Sequence, residues 1–500
     1  MKKLLSIMLA VTLLVSALIA AAPAFAEDEI IELVWQYPAW GNVTQGFYDV
    51  EAALNEMTER DIGIHITFEP TGLQESQNDA ILKVSSGEPL DICLTAFVSV
   101  GNLVDKGIII PLDDVLTEED IASFKEHNAN PVTGVTYNGE IYGIPCGDKI
   151  YQVLGYSMKK RFAEKYDCIP DNDKIYTMAE MEAIFDRIKE GEGDSLRTQV
   201  PWNNTYEPLN YSLCEYDKFG GDMSYGVLML NRSFTDTTVV DLFETDEYRE
   251  YCEAMYRWAQ KGFISADAAV TTDAPNDIVI QDNYTGWYGW GDVDPDMLDN
   301  SWGEDIVLFK SVDGFISSTI AGVSWNVTIN CEHPEAAIKA IRYVYEHPEA
   351  ATLIQYGIEN RDWRLVREEN GLKQIEYTEE DYTKLAYINP YGLWGDRLSL
   401  PTMGARAIDT FARMKAYQDK VIADGRITPS AGYVFNPDPV SADVAAVQTV
   451  IAQYAPSLNA GAVDPEKALP DFIAALKDAG IDSIIAENQT QLDARLETQK

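Results

Sequence analysis

The residues of this 500-residue chain with the clearest capacity for ligand chemistry are aromatic: 10 Trp, 27 Tyr and 16 Phe. The densest run is Thr285-Gly286-Trp287-Tyr288-Gly289-Trp290-Gly291, and another glycine-flanked ring stands in Leu393-Trp394-Gly395-Asp396. A flat apolar ring packs on the C–H face of a sugar, and glycine lets a backbone approach a ligand while holding the ring clear of its neighbours. Trp287, Trp290 and Trp394 are therefore the leading candidates for such a platform. Tyr37, Trp40, Phe97, Trp202, Trp325 and Tyr391 follow, and the competing role for each of these rings is a place in the core. Sugar hydroxyls also need fixed polar partners. Asp91, Asp222 and Asp396 are the candidates, because a carboxylate accepts from two adjacent hydroxyls in charge-assisted bonds. The alternative for Asp91 is a cap or turn beside Pro89; for Asp222 and Asp396 it is closure of a turn after glycine.

Other chemistries have few residues to draw on. Histidine occurs only at positions 65, 127, 333 and 347, and the last two sit in a short recurrence, Glu332-His333-Pro334-Glu335-Ala336-Ala337 and Glu346-His347-Pro348-Glu349-Ala350-Ala351. Proline at the first helical position and glutamate in the first turn read as two helix starts. Six cysteines (93, 146, 168, 214, 252 and 331) are widely spread without a CxxC pair, which argues against a zinc knuckle or a redox motif and leaves their pairing open. Asp292, Asp294, Asp296 and Asp299 are spaced like a calcium loop. Pro295 interrupts that loop, Met297 occupies the position needing glycine and Gly303 the twelfth, so a solvated turn is the expectation, with no metal and no cofactor. Paired carboxylates of the kind used in glycoside hydrolysis prove nothing among 81 acidic residues. A secreted glycoside hydrolase and a binder of peptides or other non-sugar solutes remain the alternatives to a sugar binder.

The first 26 residues read as a cleaved export signal: Lys2 and Lys3, an apolar run from Leu4 to Ala21, and small residues at Ala24 and Ala26 before Glu27-Asp28-Glu29. An uncleaved anchor is the alternative, since about 18 apolar residues nearly span a bilayer. The first cysteine is Cys93, so no thiol near the junction could carry a lipid. Beyond Ala26, 36 basic residues face 81 acidic ones in 474 positions. Such a surface repels nucleic acid and anionic lipid, while 46% apolar residues suffice for large cores in two or more domains.

The elements that must position these residues alternate. Periodicity predicts a strand over 30–35, a helix over 49–59, a strand over 64–68, a helix over 78–85 ended by Gly87, and a strand over 91–97. That succession implies parallel pairing and an open α/β lobe whose ligand crevice lies beyond the carboxyl ends of its strands. After Gly143-Ile144-Pro145 an isolated strand, 152–157, and a charged helix, 159–165, mark a crossing into a second lobe. The stretch 177–263 reads as mainly helical, 278–280 as strand-like, 321–329 as a strand, and the end, from Asp464, as helices stopped at Gly480 and resumed over 483–496.

Several segments, in this order, resemble extracellular solute-binding proteins of bacterial ABC importers: Ser86-Gly87-Glu88-Pro89-Leu90-Asp91-Ile92, Val104-Asp105-Lys106-Gly107, Ile109-Ile110-Pro111-Leu112-Asp113, Asn138-Gly139-Glu140-Ile141-Tyr142-Gly143-Ile144-Pro145, and the helix start at Cys331 to Ala337. Tyr356-Gly357-Ile358-Glu359-Asn360-Arg361-Asp362-Trp363, Phe435-Asn436-Pro437-Asp438-Pro439-Val440 and Leu469-Pro470-Asp471-Phe472 are similar to the lipoprotein-type branch of the family 1 sugar-binding proteins of Gram-positive bacteria. The chain differs from that branch in lacking the lipid-modified cysteine, in Asn360 where glycine is usual and in Trp363 where tyrosine is usual. The resemblance implies an α/β, two-lobe periplasmic-binding-protein-like fold with a hinge and a helical C-terminus, an oligosaccharide as cargo, delivery to the transmembrane subunits of an ABC permease, a monomer, and no catalysis. The division it suggests is 27–150 with 281–310 in lobe I, 151–280 with 311–435 in lobe II, and 436–500 as C-terminal helices packing on the lobes.

Overall fold

The computed structural model describes residues 30–96, 99–127, 135–147, 151–198, 216–219, 226–230, 234–271, 278–292, 304–318, 322–404 and 406–497. Its first sheet contains β1 (Ile31–Ala39), β2 (Ile64–Gly72), β3 (Ile92–Ala96), β4 (Val135–Tyr137) and β5 (Glu140–Pro145), joined by a sixth strand from much later in the chain. β1 and β2 run parallel from Ile31 opposite Ile64 to Ala39 opposite Gly72, and β3 is parallel to β1. The helix Gln45–Ile62 makes the first crossover and ends at Gly63, whose φ of +71° only glycine adopts readily. The helix Ser76–Ser86 makes the second and ends at Gly87 in the same way.

A second sheet begins with β6 (Gln152–Lys159). Small strands β7 (Tyr216–Asp217), β8 (Val227–Leu230) and β9 (Val239–Asp241) form a separate antiparallel sheet. β10 (Gly286–Trp290) and β11 (Ile306–Phe315) then pair antiparallel on either side of β6. The returning strand β12 (Val323–Val327) inserts antiparallel between β3 and β5. A hairpin of β13 (Trp363–Glu369) and β14 (Leu372–Tyr377), joined by β15 (Thr402–Met403), completes the strands.

Two large apolar cores follow from this pairing. One lies between the first sheet and the helices Gln45–Ile62, Pro334–Glu346 and Pro348–Tyr356, the last two starting at the prolines of the recurrence. The other gathers β6, β8, β10 and β11 with the helices Met178–Glu192 and Asp246–Gln260 and the three C-terminal helices Ser441–Asn459, Pro465–Ala479 and Ile481–Glu497. Thr177 opens Met178–Glu192 with a reciprocal capping box to Glu180.

The lobe boundaries differ from those expected. Residues 286–290 and 306–310 lie in the second sheet, not lobe I, because β10 and β11 hydrogen-bond to β6. Residues 323–327 and the helices 334–356 lie with lobe I, not lobe II, because β12 fills the gap between β3 and β5. Ile278 and Val279 form a helical turn rather than a strand. Among the described cysteines, 93, 146, 168, 252 and 331 are free thiols.

Candidate functional site

The carboxyl ends of β1, β2, β3 and β5 and the start of β12 share one edge of the first sheet, where an open α/β sheet holds its ligand. Trp40 follows β1 directly and is 49% exposed, the only tryptophan so exposed among the described residues. Across from it, the turn after Gly72 carries Leu73, Gln74 and Glu75 into the next helix. Tyr391 is half-buried beside the same turn, and its phenol is pushed above the usual range by burial and by the nearby Glu75 charge.

The loop that delivers Tyr391 is held at several points. Thr44 Oγ1 donates to Ala386 O at 2.5 Å, and Gly46 leaves room for that carbonyl, since a Cβ there would sit 2.1 Å from it. Gln355 Nε2 donates to Asn389 O at 2.8 Å, Asn389 Nδ2 to Ile354 O at 3.2 Å, and Tyr391 N to Asn389 Oδ1 at 3.0 Å. An aromatic side chain on a pinned loop loses little freedom on meeting a ligand.

Three of the candidate rings lie instead beneath this edge. Trp394 and Trp325 are each 1% exposed and Tyr37 2%. Trp394 stacks on Tyr37 at 5.5 Å and leans on Trp325 at 4.6 Å and Trp35 at 5.0 Å, so other rings occupy the faces a sugar would need. Trp325 Nε1 donates to Leu393 O at 3.2 Å, and the Tyr37 hydroxyl pairs with that of Tyr387 at 2.6 Å. The glycine beside Trp394 serves packing: Gly395 has φ +66°, and a Cβ there would lie 2.6 Å from Val344 O. These three are corrected to core residues.

Two aspartates are likewise structural. Asp91 precedes β3, at the opposite end of the sheet from the ligand edge, and accepts from Val34 N at 2.7 Å. Burial raises its carboxyl, against the lowering effect of the Val34 amide and the Cys331 thiol. Asp396 caps the turn Arg397–Ser399, accepting from Leu398 N at 3.2 Å, and burial raises it too. Trp287 sits mid-strand in β10 opposite Ser157, half-buried against Ile278, Val279, Tyr284 and Ile306. Trp290 pairs through its backbone with Leu154, and its side chain lies outside the described ones, as do Phe97, Trp202 and Asp222 entirely.

In the second sheet, Tyr151 stands just before β6. Its hydroxyl donates to Asp292 Oδ1 at 2.8 Å, its ring meets Tyr417 edge-on at 5.1 Å, and Tyr417 donates to Asp313 Oδ1 at 2.7 Å. Sequence reasoning did not single out Tyr151, Tyr417 or Glu75. The position of Glu75, immediately after a strand end and before a helix, could have found it.

Comparisons with known proteins agree with this architecture. The family described as bacterial extracellular solute-binding protein matches residues 52–358, and a domain of unknown function matches residues 429–497. A carbohydrate ABC transporter substrate-binding protein of Streptococcus pneumoniae is 22% identical over 470 residues, spanning 92% of this chain and 90% of that protein. The crystal structure of an N-glycan transport solute binding protein from Streptococcus pneumoniae superposes with a TM-score of 0.74 at 19% identity, covering 95% of this chain and all of that one. The same protein in complex with Man1GlcNAc gives 0.66 at 18% identity, over 94% of this chain and all of that one. The two-lobe fold is shared along essentially the whole length, the family match covers more than half of the sequence, and the chain belongs to the bacterial extracellular solute-binding proteins.

Proposed function

We propose that this protein captures an oligosaccharide between its two lobes and delivers it, chemically unchanged, to the transmembrane subunits of an ABC permease. The observation that carries this reading is the likeness, over nearly the whole chain, to a carbohydrate transporter's binding protein and to an N-glycan transport protein. The edge geometry supports it: Trp40 offers an indole face, and Tyr391 and Glu75 stand by to receive hydroxyls.

In this reading the mature chain starts at Glu27, acts outside the cytoplasm and works as a monomer. Trp287, Trp290, Trp202, Phe97 and Asp222 stay candidates for cargo contact from the second lobe and the loops. A thermal-shift screen of the mature protein against plant and microbial oligosaccharides tests the proposal, since a ligand that binds only the folded state raises Tm with its occupancy. Stabilisation by a subset of glycans is the expected result. Stabilisation by peptides and by no glycan would overturn it.

A further inference from the structure

The chain crosses between the two sheets along three segments, and one buried carboxyl group ties two of them together. The first crossing follows β5 and enters β6 at Gln152; the second leaves β11 and enters β12 at Val323. The third runs from Ile427, which bridges Ile316, to Tyr433, which bridges Thr136 of β4. Gln152 Nε2 donates to Ser317 Oγ at 2.8 Å, joining the first crossing to the second. Asp217 of β7, with 0% exposure, joins the second to the third. Its Oδ2 accepts from Ser318 N at 2.8 Å, Thr428 Oγ1 at 2.6 Å and Ser430 Oγ at 2.5 Å. Its Oδ1 accepts from Phe219 N at 2.8 Å and from Ser318 Oγ. The same group holds a strained corner: Phe219 has φ +59°, a conformation that costs a bulky residue free energy.

Each crossing also carries a glycine on the lobe I side of this knot. Gly147 has φ +136° and Gly432 has φ +80°. A Cβ added at Gly147 or at Gly322 would meet nothing within 4 Å. Nothing in the packing therefore demands glycine at Gly322, and backbone freedom is what it supplies.

We infer that Asp217 is the pin of the hinge: it fixes the second and third crossings to the second lobe, the first being tied to the second through Gln152, so that among the described residues of the crossings the rotation closing the lobes falls on Gly147, Gly322 and Gly432. Asp217 is a positioning residue and touches no ligand. The inference rests on lobe closure as part of the proposed function, but not on the identity of the cargo.

An Asp217→Asn change cannot be absorbed by rotating the amide, because each carboxyl oxygen faces a backbone N–H that cannot turn to accept. The test is the distribution of inter-lobe distances in the ligand-free protein, read by paired labels at the exposed positions Glu56 and Glu190. In Asp217→Asn the population outside the wild-type range of separations rises about threefold or more, the order that one lost buried hydrogen bond gives. Ser430→Ala, which leaves Oδ2 with two donors and should fold in any case, produces a smaller rise of the same kind. Gly322→Ala narrows the distribution, and Asp241→Asn, at another buried carboxyl of the same lobe, leaves it at wild type. Wild-type distributions in folded Ser430→Ala and Gly322→Ala, or equal broadening in Asp241→Asn, would overturn the inference. No sugar is needed, so a wrong cargo class would leave this result standing and would show only in the glycan screen.

Discussion

Trp40 and Trp394 are the same residue type in opposite surroundings, one exposed and one buried. Trp394→Ala removes a ring enclosed by Tyr37, Trp325 and Trp35, and truncating a buried aromatic costs about 3–5 kcal/mol; thermal denaturation should show a large fall in Tm. Trp40→Ala should leave Tm within about 1 °C, since surface changes are nearly neutral. It should weaken glycan binding about tenfold or more in calorimetry, the equivalent of about 1.4 kcal/mol. Sequence neighbours did not separate these two rings: the glycine beside Trp394 suggested a ligand loop, whereas Gly395 is required by close packing on Val344. What sets Trp40 apart is its place just past the end of β1, with half of its surface exposed. A third residue makes the protein sensitive to pH. Asp241 is 5% exposed with Oδ2 unpartnered, and burial, helped by the Glu244 charge and opposed by the Phe243 amide, raises its carboxyl to about 7. The unfolded carboxyl ionises first, so its contribution to stability is full below about pH 4 and is lost as pH rises to about 7. Asp241→Asn keeps the acceptor for Phe243 N. It should raise Tm at pH 8 by about 2–4 °C for each kcal/mol recovered and change little at pH 4; equal effects at both pH values would contradict this account.

At the scale of elements, local signals were read well and partners poorly. The strand over 30–35, the glycine stop at Gly87 and the prolines opening 334–346 and 348–356 are backbone preferences written into single residues, whereas the stop at Gly63 went unread. Pairing is not: Trp287-Tyr288-Gly289-Trp290 looks like a strand whichever sheet it joins, and only the coordinates show it beside β6. The same holds for β12, five residues in which Ser324 and Asn326 alternate with apolar ones and which pair with β3 some 230 positions earlier in the chain. The Asn370-Gly371 turn of the β13–β14 hairpin, with φ +52° and +82°, carried a strong local signal that the periodicity reading passed over. The loop bearing Tyr391 depends on Gly46 in the first helix. Gly46→Ala would drive a Cβ to 2.1 Å from Ala386 O, and overpacking of this kind costs about 1–3 kcal/mol. Lower Tm together with weaker glycan binding is expected; weaker binding should be partly restored by a shorter or more flexible 386–390 loop, whereas Trp40→Ala should gain nothing from it.

At the scale of the whole molecule, two cores built on separate sheets and joined by three crossings make a hinge the natural motion. Cargo that touches both lobes shifts the population toward the closed form. Small-angle scattering should therefore show a smaller radius of gyration with the right glycan than without it, and an unchanged radius at saturation would remove closure from the account. The abundant acidic residues spread over many exposed helix faces are screened from one another at physiological salt and favour solubility over ligand selection.

The central claim, capture of an intact oligosaccharide by a single chain, is tested most directly by native mass spectrometry of the mature protein incubated with a mixed oligosaccharide pool. The expected species is a complex of one chain with one glycan, carrying the unaltered mass of a molecule in the pool and releasing that same mass on denaturation. A protein that emerges without any glycan, or a pool that returns as shorter fragments, would contradict it.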